Sequence, residues 1–556
     1  QVLRINYRTT MRGVIDMSLL QWIHRKRNLV LAVSLALGVA MLSGCGGSGG
    51  SGGKGKTNLT IGMTNAPAGF NPLFNPDIVG QFTLRFMYDT LLGMPEPNKF
   101  TPQLADSFDT QDNQNFTIKL NEKAKWSDGQ PITAEDVVFT LNTIANPSVE
   151  TTKGSYICML DGVNNVGKLE SGEKIPGLEA KDEHTVVLRT KRPVDPNYIK
   201  SMLGFEVYII PKHVFEKINP ADIGTSEAVT KPSVTSGTYK FVDYKTNDHV
   251  ELASNDEYYK GTPKLKKVFL KVMNGTNLVT ELKSGNVQLA AAGGIGVIPI
   301  KDLDVLKKDS KLDVKTSPSL NTQYLEINNQ NPAFNVKFRR AVTMAINRQQ
   351  LCDDLYKGTA QLVPTVYTLV SPVYDKSVTP LPFDVEKAKA ELAASGFDTS
   401  KEITLQVPIG NVLREQSADL IQQNLQAIGL QVKQQKLDFP SVLANAKKGD
   451  YEMMLLGYAL NADPDYSQYF VPGGGSNFGH TNDAKLTEMM TNAALMTNAD
   501  ERKAAYSDIQ TYMRDNQFVV SLYETDQIMA QSKNLKGGIK DFWEGSLDDL
   551  YNWHFE

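Results

Sequence analysis

The stretch 402–459 constrains this chain most, because it sets three apolar strands in a row with a helix between each pair. Ile403–Val407 is a short apolar and β-branched run. Asn411 to Ile428 then carries Leu413, Leu420, Ile421, Leu425 and Ile428 at helical spacing and stops at Gly429. Leu430–Lys436 reads as a second strand, Pro440–Lys447 as a short helix, and Met453–Tyr458 as an unbroken apolar strand. Such a strand leaves no face for water, so it belongs in a sheet covered on both sides. Strands joined through helices run parallel, with right-handed crossovers. The expectation is an α/β lobe that binds ligands beyond the carboxyl ends of its strands.

The N-terminal sequence is of another kind. Arg25-Lys26-Arg27 precedes an apolar run from Leu29 to Met41, which closes on Leu42-Ser43-Gly44-Cys45. A basic flank, an apolar core of about 7–15 residues and small residues at the end make a secretory leader, too short for a spanning helix. Residues 46–56, all Gly, Ser or Lys, have nothing to bury and read as a flexible tether. Met11 and Met17 both precede the leader, so residues 1–16 read as upstream sequence or an extended basic region, outside the fold. Residues 1–44 hold six of the 58 basic residues and one of the 62 acidic ones, leaving 52 against 61, or −9. That acidic balance argues against nucleic acid as a partner. Of the three cysteines, Cys158 and Cys352 remain for either a bridge or buried free thiols. The histidines His184, His213, His249, His480 and His554 lack metal-ligand spacing, and no cofactor is implied.

Residues 104–145 are the most legible part of the chain. Phe116-Thr117-Ile118-Lys119-Leu120 alternates as a half-buried strand does. Ser127-Asp128-Gly129-Gln130 is a turn. Thr133 then caps a helix with Glu135 and Asp136 in its first turn and Val137, Val138, Leu141, Ile144 and Ala145 on one face.

Leu104-Ala105-Asp106-Ser107-Phe108, that strand, Trp126-Ser127-Asp128-Gly129 and Pro131-Ile132-Thr133-Ala134-Glu135-Asp136-Val137-Val138 resemble the signature region of solute-binding protein family 5, the peptide and nickel receptors of ABC importers. The resemblance continues in order through Ser236-Gly237-Thr238-Tyr239, Asn255-Asp256-Glu257-Tyr258-Tyr259-Lys260-Gly261, Glu281-Leu282-Lys283-Ser284-Gly285 and Phe338-Arg339-Arg340-Ala341-Val342. It ends in Asp384-Val385-Glu386-Lys387-Ala388-Lys389, Asn477-Phe478-Gly479 and Glu501-Arg502-Lys503. It implies a two-lobed, type II-like periplasmic-binding-protein fold with an extra subdomain in the first lobe and a ligand cleft between lobes. The expected boundaries are 57–315 for lobe I with its subdomain near 100–205, 316–525 for lobe II, and 526–556 returning to lobe I. Leu-Ser-Gly-Cys likewise resembles a lipobox, which implies lipid on Cys45.

Two loops should then face the cleft. The strand Leu59–Met63 delivers Thr64, Asn65, Ala66 and Pro67, and the strand Met453–Tyr458 delivers Ala459-Leu460-Asn461-Ala462-Asp463-Pro464-Asp465. Peptide-binding relatives place an aspartate before the Asp-Pro-Asp element to pair with the peptide ammonium. Here that loop is about a residue shorter, so Asp463 in a shifted register or a neutral Asn461 stands in for it. Asp465 belongs to the same element. Arg414 reads either as a partner for an anionic ligand group or as a surface ion pair. Tyr458, Phe70 and Tyr88 read as cleft lining or core.

The resemblance implies a lipid-anchored monomer outside the cytoplasm, capturing oligopeptides by lobe closure and delivering them to an ABC permease without covalent chemistry. Other ligands of the same class, such as a nickel chelate, heme or a modified sugar, stay open. An exported hydrolase using paired carboxylates, or a sensory receptor, are the readings from other classes.

Overall fold

Among the described residues, three sheets of four or more strands and two two-stranded ones carry the chain, and the 402–459 stretch forms one half of the six-stranded sheet. In the computed structural model, which describes residues 56–75, 77–538, 540, 542 and 544–556, Glu402–Pro408 pairs in parallel with both Gln431–Leu437 and Met453–Ala459. The leader, Cys45 and the tether to residue 55 lie outside the described residues. Helix Val412–Ala427 begins where the Asn411 side chain accepts the Arg414 N–H (3.0 Å), and helix Phe439–Lys448 where Asp438 accepts the Ser441 N–H (2.9 Å). Each cap satisfies an N–H that the first helical turn would leave unpaired.

Three antiparallel strands complete this six-stranded sheet: Asn321–Ile327 beside Met453–Ala459, then Val519–Thr525, then Ala360–Gln361. Alternation along Asn321–Ile327 shows that both faces are covered. Leu325 and Ile327 join one apolar cluster, with Ile421 and Leu425, while Tyr324 joins another, with Tyr466, Tyr506 and Ile509.

The seven-stranded sheet runs in the order Leu312–Ser317, Gln527–Ser532, Leu289–Ala290, Asn58–Met63, Lys267–Val272, His249–Ser254 and Tyr239–Lys245. The chain therefore crosses between the two large sheets twice, once between Ser317 and Asn321 and once between Thr525 and Gln527. The crossings lie side by side: the Ser319 hydroxyl donates to the Thr525 carbonyl at 2.7 Å.

The third sheet has four strands, all from 105–189. In Asn115–Leu120 the side chains of Phe116, Ile118 and Leu120 are buried and those between them exposed. The turn after it closes through Gly129, whose φ of +92° a side chain would resist, with its N–H donating to the Trp126 carbonyl. Asp136 in helix Ala134–Ala145 accepts the N–H groups of Thr133 (2.9 Å) and Lys212 (2.9 Å) and the Trp126 indole N–H (3.4 Å). One buried carboxylate thus ties turn, helix and the 212 segment together. Cys158 and Cys352 are both free thiols, and burial pushes that of Cys352 up to about 12.

Candidate functional site

A cavity of about 790 Å³ lies where the two crossings meet. Its wall takes Lys315 from the seven-stranded sheet, Asn321 from the six-stranded one, Leu460 from the loop after strand Met453–Ala459, and Phe542 and Glu544 from the C-terminal segment. That volume falls within the roughly 300–1,000 Å³ of small-ligand sites. Two of its charged residues are already paired, Glu96 with Lys99 (2.6 Å) and Lys540 with Asp549 (3.4 Å). Lys315 and Glu544 have no ion-pair partner among the described residues.

Behind Glu544 the floor is charged. The Arg85 guanidinium stacks on Phe205 at 4.1 Å; burial disfavours its charge, but Tyr208, Glu206, Glu544 and Asp548 raise its pKa overall. Burial pushes the Glu544 carboxyl up to about 8 and that of Asp548 to about 6, and it lowers Lys153 to about 8. Glu544 Oε2 is buried without a hydrogen-bond partner. An acceptor in that condition suits a positively charged or N–H-bearing ligand group.

The residues singled out from sequence are not gathered in this cavity. Asp463 is wholly buried, and both its oxygens are taken by Arg502, at 2.9 and 3.0 Å. It also accepts the Asp465 N–H at 2.9 Å. This corrects the expectation of an open carboxylate: Asp463 anchors its own loop. Asp465 is occupied locally by the N–H and hydroxyl of Ser467 and borders a separate cavity of about 400 Å³ with Cys158 and Tyr198. Asn461 is half-buried, with its backbone carbonyl accepting the Tyr466 hydroxyl at 3.0 Å. Asn65 is exposed, on a loop held by the Thr64 N–H to the Ile295 carbonyl.

Of the two readings of Phe70, cleft lining or core, burial favours the core. Phe70 packs in the seven-stranded sheet's core against Phe241 and Tyr244, ring centroids 5.3 and 5.1 Å away, and borders a third cavity of about 660 Å³. Tyr88 is likewise core. Arg414 makes no ion pair among the described residues; its Nε–H donates to Gln323 at 2.9 Å, and burial lowers its pKa. Tyr458 stands in an aromatic row with Tyr324, Tyr469 and Phe478 and donates its hydroxyl to Glu326 at 3.2 Å.

Glu326 had no signal in the sequence beyond an acid in an apolar strand. It is 3% exposed, and burial pushes its pKa up to about 7 against the pull of the Tyr458 hydroxyl. Below about pH 4.5 the acid is neutral whether the chain is folded or not. As pH rises to about 7 the unfolded chain ionises first, so this group's stabilising contribution is lost over that window. Glu326→Gln should therefore gain about 2–3 kcal/mol on wild type between pH 4 and pH 8 in denaturant titrations. An offset that does not change with pH would mean that water reaches Glu326.

Among the described residues no helix is long and apolar enough to cross a membrane, and no group of three metal-ligating side chains occurs. A family profile described as "Bacterial extracellular solute-binding proteins, family 5 Middle" matches residues 99–479. The oligopeptide-binding protein AppA of Bacillus subtilis is 26% identical over 517 residues, covering 89% of this chain and 90% of that protein. The structure of AppA in complex with a nonapeptide has a TM-score of 0.75 at 25% identity, over 90% of this chain and 100% of that one. The ABC transporter substrate-binding protein CtaP of Listeria monocytogenes has a TM-score of 0.78 at 27% identity, with the same coverage.

Proposed function

This chain belongs to the bacterial extracellular solute-binding proteins of family 5, and on that premise we propose that it captures oligopeptides and passes them to the permease of an ABC importer. The observation that carries the reading is the cavity between the two large sheets, bordered by one unpaired cation, Lys315, and one unpaired carboxyl, Glu544. A peptide with free termini brings a carboxylate for Lys315 and an ammonium whose N–H groups Glu544 can accept. The relative AppA, an oligopeptide-binding protein by name, supports the same ligand class. Residues 57–315 and 526–556 make one lobe and 316–525 the other, with the paired crossings at 318–320 and 526 as the hinge. Ligand closes the lobes by binding the closed form better than the open one, and no covalent step is needed. The protein acts as a monomer, held by lipid on Cys45 through the tether of residues 46–56, which keeps its concentration high near the permease.

The test is native mass spectrometry on the full chain extracted from membranes. Bound peptides spread over several masses are the expected result; a single non-peptide mass overturns the peptide reading. In the same preparation Cys45→Ala should move the protein to the soluble fraction, and retention in the membrane would remove the anchor.

A further inference from the structure

The loop after strand Met453–Ala459 meets the segment 158–205 of the other half at three neighbouring points. Ala462 packs in a small apolar cluster with Met94, Phe205 and Phe542. Asp465 and Tyr198 border the same 400 Å³ cavity. The third link is Arg502, whose Nη1 donates to Asp463 at 2.9 Å within its own half and to Asp195 at 3.2 Å across the divide. The three side chains are 4%, 0% and 7% exposed. Among the described residues, Arg502–Asp195 is the one ion pair that links segment 99–205 to segment 316–525.

We infer that Asp195 is a closure latch: it positions the short 460–465 loop against the opposite lobe by sharing Arg502 with Asp463, and so sets how readily the cleft closes and how slowly ligand leaves. This rests on the two-lobe capture reading above.

The arrangement has the asymmetry a reversible latch needs. Arg502 keeps a forked, two-bond partner in Asp463 whether or not Asp195 is there, so opening strands no buried cation. Asp195, by contrast, sits at the first position outside helix Pro196–Ile199, where its Oδ1 accepts the Asn197 N–H at 2.8 Å. Its Oδ2 is the oxygen committed to Arg502. In the closed form two carboxylates share one guanidinium, and they repel each other. Burial and Asp463 both raise the Asp195 pKa, while the Asn197 N–H and Arg502 pull it down. Opening returns Asp195 to water and relieves that repulsion, so the contact holds the closed form without locking it. All three groups of the contact belong to the protein itself, so the latch acts on closure with the cleft empty.

The test removes the charge and keeps the cap. Asp195→Asn and Asp195→Ser both leave an oxygen for the Asn197 N–H. Small-angle scattering of the ligand-free full chain should then show a larger radius of gyration than wild type for both variants. With alanine oligomers of three to nine residues as the probe, dissociation should be at least about tenfold faster and association unchanged. Wild-type scattering with an empty cleft, or dissociation within about twofold of wild type, overturns the latch. An unfolding midpoint unchanged from wild type confirms that the variants fold. If wild type binds no alanine oligomer, the peptide reading is what fails, and the ligand-free scattering still decides the latch.

Discussion

Arg502→Ala should destabilise the purified chain by about 3–5 kcal/mol, the loss typical of removing one partner from a buried ion pair. Asp463 would stay wholly buried with neither oxygen paired to a cation, since both now receive Arg502 N–H groups. The Ala493 carbonyl would lose the Arg502 Nε–H as well. Burial alone disfavours a charged Arg502, yet Asp463 and Asp195 hold its pKa well above that of free arginine, which measures how closely the three groups are coupled. Arg502→Lys should fall between wild type and alanine, because an ammonium keeps the charge but not the fork that meets both oxygens at once. Denaturant midpoints check both variants. A loss below about 1 kcal/mol for Arg502→Ala would mean that water solvates Asp463 and that the burial argument is wrong.

Gly237→Ala should cost about 3 kcal/mol or more, at the upper end of what overpacking a core does. An alanine Cβ there would stand 2.6 Å from the carbonyl carbon of Met87 and 2.7 Å from the Phe86 oxygen. Both are backbone atoms, and neither can step aside. Met87 ends helix Ile78–Met87, and its carbonyl accepts the Gly237 N–H at 2.7 Å, which draws the two chains together at that point. The next step is held too, with the Asp89 N–H donating to the Ser236 hydroxyl at 2.8 Å. The control is Gly224→Ala, where a Cβ meets nothing within 4 Å and the change should stay within about 0.5 kcal/mol. Equal effects at the two positions would show that chain entropy, not contact, governs both.

Secondary structure and the Thr133 cap were legible because their causes lie a few residues apart. Thr133 and Asp136 are neighbours along the chain; the Asn411 and Asp438 caps are equally local but emerged only with the structure. The same locality made 402–459 readable as three parallel strands. The antiparallel half of that sheet had no such signature, since Asn321–Ile327 and Val519–Thr525 come from distant segments and gain their places only by pairing.

The site was less legible for the same reason. Phe70 follows a loop that begins at a strand's carboxyl end, and nothing in the sequence distinguishes an aromatic that lines a cleft from one that fills a core. Lys315 and Glu544 belong to no motif, and they border one cavity only because the C-terminal segment folds back over the seven-stranded sheet. Asp463 stood out as consequential, but the groups that settle its role lie beyond any local pattern. Arg502 is 39 residues further on, and Asp195 is 307 residues before Arg502.

By itself the sequence determined the parallel strands and helices of 402–459, the strand, turn and capped helix of 104–145, the alternation that buries one face, and the family the chain belongs to. These follow from backbone geometry and side-chain spacing, which act over one or two turns of chain. Only the tertiary structure decided which charges are paired and which are left for a ligand. Pairing depends on distance through space and on how much water burial removes, and neither is a property of neighbours in sequence. That is why Asp463 is taken by Arg502 while Lys315 and Glu544 stand unpaired at the cavity.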